Sequence, residues 1–432
     1  MSKLSFFQCQ HPASALLLLL SVAISSSSSA QQPRPPNNNV PPAAPALTRL
    51  ESLGQRLFTD RNLSEPAGTA CMSCHSANTG FANNHGSGIG VALGSKPTSI
   101  GLRNAMNNAY QRSIPTFTFQ SNGTQWKPIG GHFWDGRADT LALQALGPLL
   151  APLEMNNADA ASVVRKVAAS PYANLMREEF GATIFEQSDL AFQKIGVAIA
   201  AFENTKGLQS FSSKYDAVLQ GQASFSASES RGQALFVNPN KGNCIACHSI
   251  NLASKNPQEH LFSDFSYHAL AVPRNKAIPQ NASASFFDLG LCGPVRDQAA
   301  LSASLPAGVK LESLCGQFRT PSLRNVGLRM AFMHNGFFKD LREVLAFYAS
   351  RDIDPRRWYG TAGVADDLPA AYRANIVNDR LPFGLKPGNQ AAFSAAEAAD
   401  IIAFLRTLND GFVPPPPAGT PPSNSLANPF GR

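Results

Sequence analysis

The chain has 432 residues, 44% of them hydrophobic, and a formal net charge of +7. That length allows two or more ordinary domains, and a mild positive excess without a dense Lys/Arg run argues against nucleic acid and for weak steering toward an acidic protein surface. Beyond residue 30 no stretch is long and apolar enough to be a transmembrane span.

Residues 1–30 read as a secretory signal. Lys3 gives the positive start, Ala15 to Ile24 is an apolar run too short to cross a bilayer, and the small residues ending at Ala30 offer a cleavage site. Export would remove Cys9 and place the mature protein in the periplasm of a bacterium. Residues 31–46, rich in Pro and Asn, form an expected flexible linker, and residues 412–432 an expected Pro-rich flexible tail; neither buries enough apolar surface to offset its ordering entropy. Between them, apolar periodicity predicts helices over 47–58, 140–150, 159–168, 171–180, 189–204, 214–220, 226–236, 341–349 and 394–408. Strand signals are sparse.

Two five-residue stretches organise this pattern: Cys71-Met72-Ser73-Cys74-His75 and Cys244-Ile245-Ala246-Cys247-His248. In C-x-x-C-H the thiols add to the vinyl groups of a haem while the adjacent imidazole binds its iron, so one loop supplies tether and ligand. A zinc ribbon would hold its Cys pairs about fifteen to twenty residues apart, and a redox dithiol would sit by a βαβ pattern; neither applies. Two c-type haems follow, with His75 and His248 as proximal ligands. The approaches are also alike, Leu53-Gly54-Gln55-Arg56-Leu57-Phe58 and Arg231-Gly232-Gln233-Ala234-Leu235-Phe236, and each half has a later apolar helix, over 195–203 and 398–408. The chain therefore reads as mainly α, with long irregular loops and few strands. It divides into two duplicated cytochrome c-like domains, residues 47–220 and 221–411. Cys292 and Cys315 are left over; an exported protein can pair them, and two buried free thiols are the alternative.

The run His132-Phe133-Trp134-Asp135-Gly136-Arg137-Ala138 is followed by Gln144, Pro148 and Glu154-Met155, at ten, fourteen and twenty residues after the Trp. With the two haem motifs it resembles the bacterial di-haem cytochrome c peroxidase and MauG superfamily. The resemblance implies an acid/base role for Glu154 at the first haem, an orienting role for Gln144 and an electron relay through Trp134. Asp135 and Arg137 are expected in structural roles. His85 is a candidate cap for the first iron, with a solvent-facing loop histidine as the alternative; His132 is another candidate. Tyr348 matches the distal ligand of the second haem as in MauG-type proteins, where classical peroxidases have Met. Its stripe with Leu341, Val344 and Leu345 also suits plain core packing, and Met333 is the competing ligand. His334 is expected as a buried hydrogen-bonding residue near the second haem. Asn104 matches a calcium-holding Asn, with the carbonyls of Arg329 and Ala331 as further donors.

The implied activity is periplasmic reduction of hydrogen peroxide at the N-terminal haem, with electrons passing through the C-terminal haem from a small cytochrome c or copper protein. The MauG-like alternative draws those electrons from a Trp or similar side chain of a partner protein. A non-enzymatic di-haem electron carrier is the remaining alternative.

Overall fold

The computed structural model describes residues 46–414; the expected signal segment and most of both expected flexible flanks lie outside them. Twelve α-helices are present among the described residues: α1 (Arg49–Thr59), α2 (Cys71–Cys74), α3 (Leu141–Leu150), α4 (Ala160–Ala168), α5 (Ala173–Phe180), α6 (Ser188–Glu203), α7 (Lys214–Leu219), α8 (Ala227–Val237), α9 (Gln298–Ala303), α10 (Leu341–Ser350), α11 (Pro355–Tyr359) and α12 (Ala395–Arg406). Strands are few: an antiparallel hairpin of β1 (Thr118–Ser121) and β2 (Trp126–Ile129), and a two-residue pairing of β3 (Tyr267–His268) with β4 (Phe318–Arg319). The expectation of a mainly helical chain with few strands holds. Among the described residues no helix is long and apolar enough to cross a membrane.

Local chemistry sets the helix starts. Thr48, Ser213, Ser226 and Ser394 each accept from the backbone N–H three residues on, while Glu51, Asp216, Glu229 and Glu397 reach back to the cap N–H. These reciprocal bonds satisfy donors that a helix terminus otherwise leaves open. The apolar faces then pack in pairs. Helix α1 lies against α6, burying Leu53, Leu57, Ile195 and Ala198, and α8 lies against α12, burying Phe236, Ile401 and Phe404.

Both pairs close over a glycine. A Cβ on Gly54 would stand 1.9 Å from the carbonyl oxygen of Ala198, and one on Gly232 would stand 2.0 Å from that of Asp400. Only hydrogen at these positions lets the backbones approach so closely.

A longer parallel joins 131–150 to 331–350. His132 bridges to Ala138 and Phe332 to Phe338; Phe133 and Met333 have φ of 67° and 66°; Gly136 and Gly336 have φ of 64° and 61°. Each turn then feeds a helix capped by Thr140 or by Asp340. At the same offset Trp134 pairs with His334, Gln144 with Val344, and Pro148 with Tyr348.

Tyr215 of α7 packs with Phe225, Phe262 and Phe404, and its N–H donates to the Thr407 carbonyl. Cys292 and Cys315 are bonded, Cα atoms 4.9 Å apart, in a satellite cluster with Tyr267, Leu291 and Leu301.

Gly54→Ala and Gly232→Ala should each cost about 3 kcal/mol or more, the upper range of overpacking. Gly88→Ala, where an added Cβ meets nothing within 4 Å, should leave stability nearly unchanged. Denaturant unfolding of the haem-loaded protein checks all three.

Candidate active site

Two large cavities open among these helices. The first is lined by Cys71, Cys74 and His75, the second by Cys244, Cys247 and His248. The four cysteines are free thiols.

Both histidines are held in one way. His75 Nδ1 donates to the Phe81 carbonyl at 2.9 Å, and His248 Nδ1 donates to the Phe262 carbonyl at 2.9 Å. Phe81 and Phe262 sit in the left-handed region, φ 59° and 57°, a conformation costly for a bulky residue that turns the carbonyl toward the ring. Fixing Nδ1–H leaves Nε2 as the metal-facing lone pair. Burial lowers the pKa of His75 to about 4 and that of His248 in the same direction. At both places burial thus favours the neutral imidazole, the form that binds iron. Paired thiols, an oriented imidazole and a largely apolar cavity fit a covalently tethered haem at both places.

The first cavity has a polar wall. Gln144 and Pro148 come from α3, and the turn after it delivers Glu154, whose N–H donates to the Ala151 carbonyl at 3.0 Å while its own carbonyl accepts from Ser95 N–H at 2.7 Å. Burial raises the Glu154 carboxyl above the ordinary Glu range, with the Arg137 charge opposing. The second cavity holds Tyr348, Met333, His334 and His268 instead. Tyr348 stacks at 5.1 Å on Phe383, and burial pushes its phenol up. His334 lies flat on Phe318, 3.6 Å between ring centroids. His268 accepts or donates a 2.8 Å bond with Ser266 Oγ, and burial lowers its pKa to about 4.

Trp134 is the one described residue that lines both cavities. Its indole N–H donates to the Asn104 carbonyl at 2.8 Å, and its carbonyl accepts from Arg319 N–H at 2.8 Å. Next to it, Asp135 is fully buried between Arg103, at 2.7 Å, and Arg137, at 2.9 Å. Burial alone would raise the Asp135 carboxyl, but the two guanidinium groups hold it below the usual range. Arg103 also binds Asp288 at 2.6 Å.

His85 Nδ1 donates to the Leu93 carbonyl at 3.1 Å, and His85 is not among the residues lining the first cavity. His132 faces Gln111 at 3.4 Å and is likewise outside that lining.

At the expected calcium position Asn104 Nδ2 donates to the carbonyls of Ala331 and Met333, both at 3.0 Å. The Arg329 guanidinium donates to the Ala331 and Ala105 carbonyls. Of the two expected carbonyl donors, that of Ala331 thus already accepts from Asn104 and from the Arg329 guanidinium.

Sequence reasoning passed over the Arg103–Asp288 link and Glu203, which also lines the first cavity. One legible signal was the repeat of Leu102-Arg103-Asn104 as Leu323-Arg324-Asn325. In both copies the arginine is buried against aspartate, Arg324 binding Asp216 at 2.6 Å.

The family model described as "Di-haem cytochrome c peroxidase" matches residues 48–224. Methylamine utilization protein MauG of Paracoccus denitrificans is 32% identical over 374 residues, 85% of this chain and 90% of that one. Cytochrome c551 peroxidase of Pseudomonas aeruginosa is 26% identical, covering 72% of this chain and 74% of its own. The crystal structure of the diheme peroxidase BthA from Burkholderia thailandensis superimposes with a TM-score of 0.78 at 40% identity, over 84% of this chain and 86% of that chain.

Arg103→Ala would leave the buried Asp288 uncompensated and Asp135 with Arg137 alone, a loss of about 3 to 5 kcal/mol near neutral pH. Because the Asp135 carboxyl is depressed in the fold, its stabilisation is present above the unfolded carboxylate pKa and fades as pH falls. The deficit of the variant relative to wild type should therefore shrink in acid, read from denaturation midpoints across pH.

Proposed function

The chain belongs to the di-haem cytochrome c peroxidase and MauG family, and from that premise we propose that it is a periplasmic peroxidase reducing hydrogen peroxide at the N-terminal haem. Electrons reach that site through the C-terminal haem from a small redox protein. Family membership implies an oxidoreductase with two c-type haems. The matched helix pairs, turns and histidine supports favour reading it as two duplicated haem domains.

The observation that carries the reading is the inequality of the two cavities. At equivalent places on α3 and α10 stand Pro148, which has no side-chain donor, and Tyr348, whose phenolic oxygen can bind iron. Gln144 stands where the second cavity has Val344. One cavity is thus left accessible and equipped with a carboxyl, while the other offers a side-chain ligand. Met333 is the competing ligand there.

A bound haem supplies redox-active iron and a delocalised ring that exchange electrons with the O–O bond of peroxide. The side chains do the rest. Glu154 accepts a proton from one peroxide oxygen and returns it to the departing one, which leaves as water. Gln144 offers an amide N–H to orient the substrate, and Trp134, shared by both cavities, shortens the path of an electron between them. Overall, peroxide takes up two electrons and two protons and gives two waters.

Tyr348 also favours a second reading, since it matches the ligand position of MauG-type proteins. There the electrons come from a Trp or similar side chain of a partner protein. Mixing peroxide-treated holoprotein with a reduced small cytochrome, and separately with a candidate protein substrate, distinguishes the two by which partner quenches the oxidised state. A plain electron carrier would be indifferent to peroxide.

Glu154→Gln should keep both haems and lower kcat/KM for peroxide by about 10² to 10⁴. Wild-type kcat/KM should rise with pH through a value above the ordinary Glu range, because the base form of Glu154 accumulates only there; the rise should vanish in the variant. Tyr348→Met should raise the potential of the second haem and add a Met-iron charge-transfer band; an unchanged spectrum would move the ligand to Met333.

A further inference from the structure

The last residue of α6 is a carboxyl that the proton shuttle above does not use. Glu203 is 2% exposed and lines the first cavity. Its Oε1 accepts from Asn108 Nδ2 at 2.7 Å, while Oε2 is buried without a hydrogen-bond partner. Counting from the two close-packed glycine contacts, α12 matches α6 with Ile401 in place of Ile199 and Leu405 in place of Glu203. All four line their cavities. An ionisable group therefore stands where the other cavity has an apolar one.

Its surroundings favour the neutral acid. Burial pushes the Glu203 carboxyl up to about 8, opposed by the Asn108 bond. It also sits at the negative end of the α6 dipole. Around it, α3 carries no ionisable residue, Glu51 of α1 is held in its capping box, and Lys166 of α4 binds Glu65. Arg49 pairs with Glu178, and Arg56, Arg165 and Glu186 are exposed. Cys71, the sulfur that feels Glu203 and more weakly Glu154, becomes an uncharged thioether once haem is attached.

We propose that Glu203 is a redox-linked proton-holding residue of the first haem site, neutral while the site is reduced and ionised when an electron leaves. The Oε2–H bond breaks, one proton goes to solvent and one electron to the oxidant, which is peroxide in turnover and the electrode in the test. Reduction returns both. The carboxylate left behind offsets the positive charge gained in a cavity where water screens poorly. This inference rests on the reading that the cavity holds a haem.

Spectroelectrochemical titration of the holoprotein between about pH 6 and about pH 10 tests it, following each haem separately. In wild type the first-haem equilibrium should shift toward tenfold per pH unit, about 59 mV for one electron, over the range where Glu203 titrates. In Glu203→Gln and Glu203→Leu that slope should vanish, and in Glu154→Gln it should persist. A flat wild type, or a slope unchanged in Glu203→Gln, overturns the proposal. Redox difference infrared spectra of wild type give a second check without any variant: a protonated carboxyl band should be lost on oxidation, and its absence overturns the proposal equally. A haemochrome assay separates the premises, since fewer than two haems per chain defeats the haem reading itself, whereas two haems with identical slopes defeat only the role of Glu203.

Discussion

Arg103 is shared by two buried carboxylates, Asp135, 32 residues downstream, and Asp288, 185 residues downstream. Charges in so dry a place depend on one another, since removing Arg103 leaves Asp288 without solvent or partner and Asp135 with Arg137 alone. The link fixes the segment that carries Trp134, the residue immediately before Asp135. Hydrogen bonds from Trp134 to Asn104 and from Arg319 to Trp134 then lock the indole where both cavities meet. Stability and the placement of Trp134 thus depend on the same few polar contacts.

Around that fixed point the two cavities share their plan and differ in their chemistry. Both have a paired thiol loop, a histidine held by a strained phenylalanine carbonyl and a helix pair closed over glycine. The differences fall on side chains that face the cavities: Gln144 against Val344, Pro148 against Tyr348, Glu203 against Leu405. Backbone contacts tolerate little change, because a Cβ at Gly54 or Gly232 already collides with carbonyl oxygen. Side chains at the cavity walls carry no such constraint, so functional divergence is written there.

Much of the fold was legible in the chain because its signals are local. All nine helices read from apolar periodicity are present, with no end displaced by more than two residues. Thr140, Asp159, Ser226 and Ser394, read as first helical residues, are caps whose side chains bind the first turn. The hairpin of β1 and β2 was not legible: its strands are largely exposed and include Pro128, so alternation of apolar and polar residues is absent. At the site, the thiol loops are contiguous motifs and stand out. Glu203 looked like the polar end of an apolar helix, and only superposing α6 on α12 marks it. His85 sits in a suggestive loop with its Nδ1 bonded to the carbonyl of Leu93, itself a residue of the first cavity lining.

The satellite cluster around the Cys292–Cys315 bond also reaches the first cavity, for Val295 lines it and Arg296 donates to the Asp135 carbonyl while lying 4.0 Å over the Phe117 ring. Part of the wall of the earlier site is therefore supplied by residues that leave the ribosome long after Cys71 and Cys74. The wall of the earlier chamber is complete only once that later segment has docked, so closure of one site depends on chain far downstream of its own thiol pair.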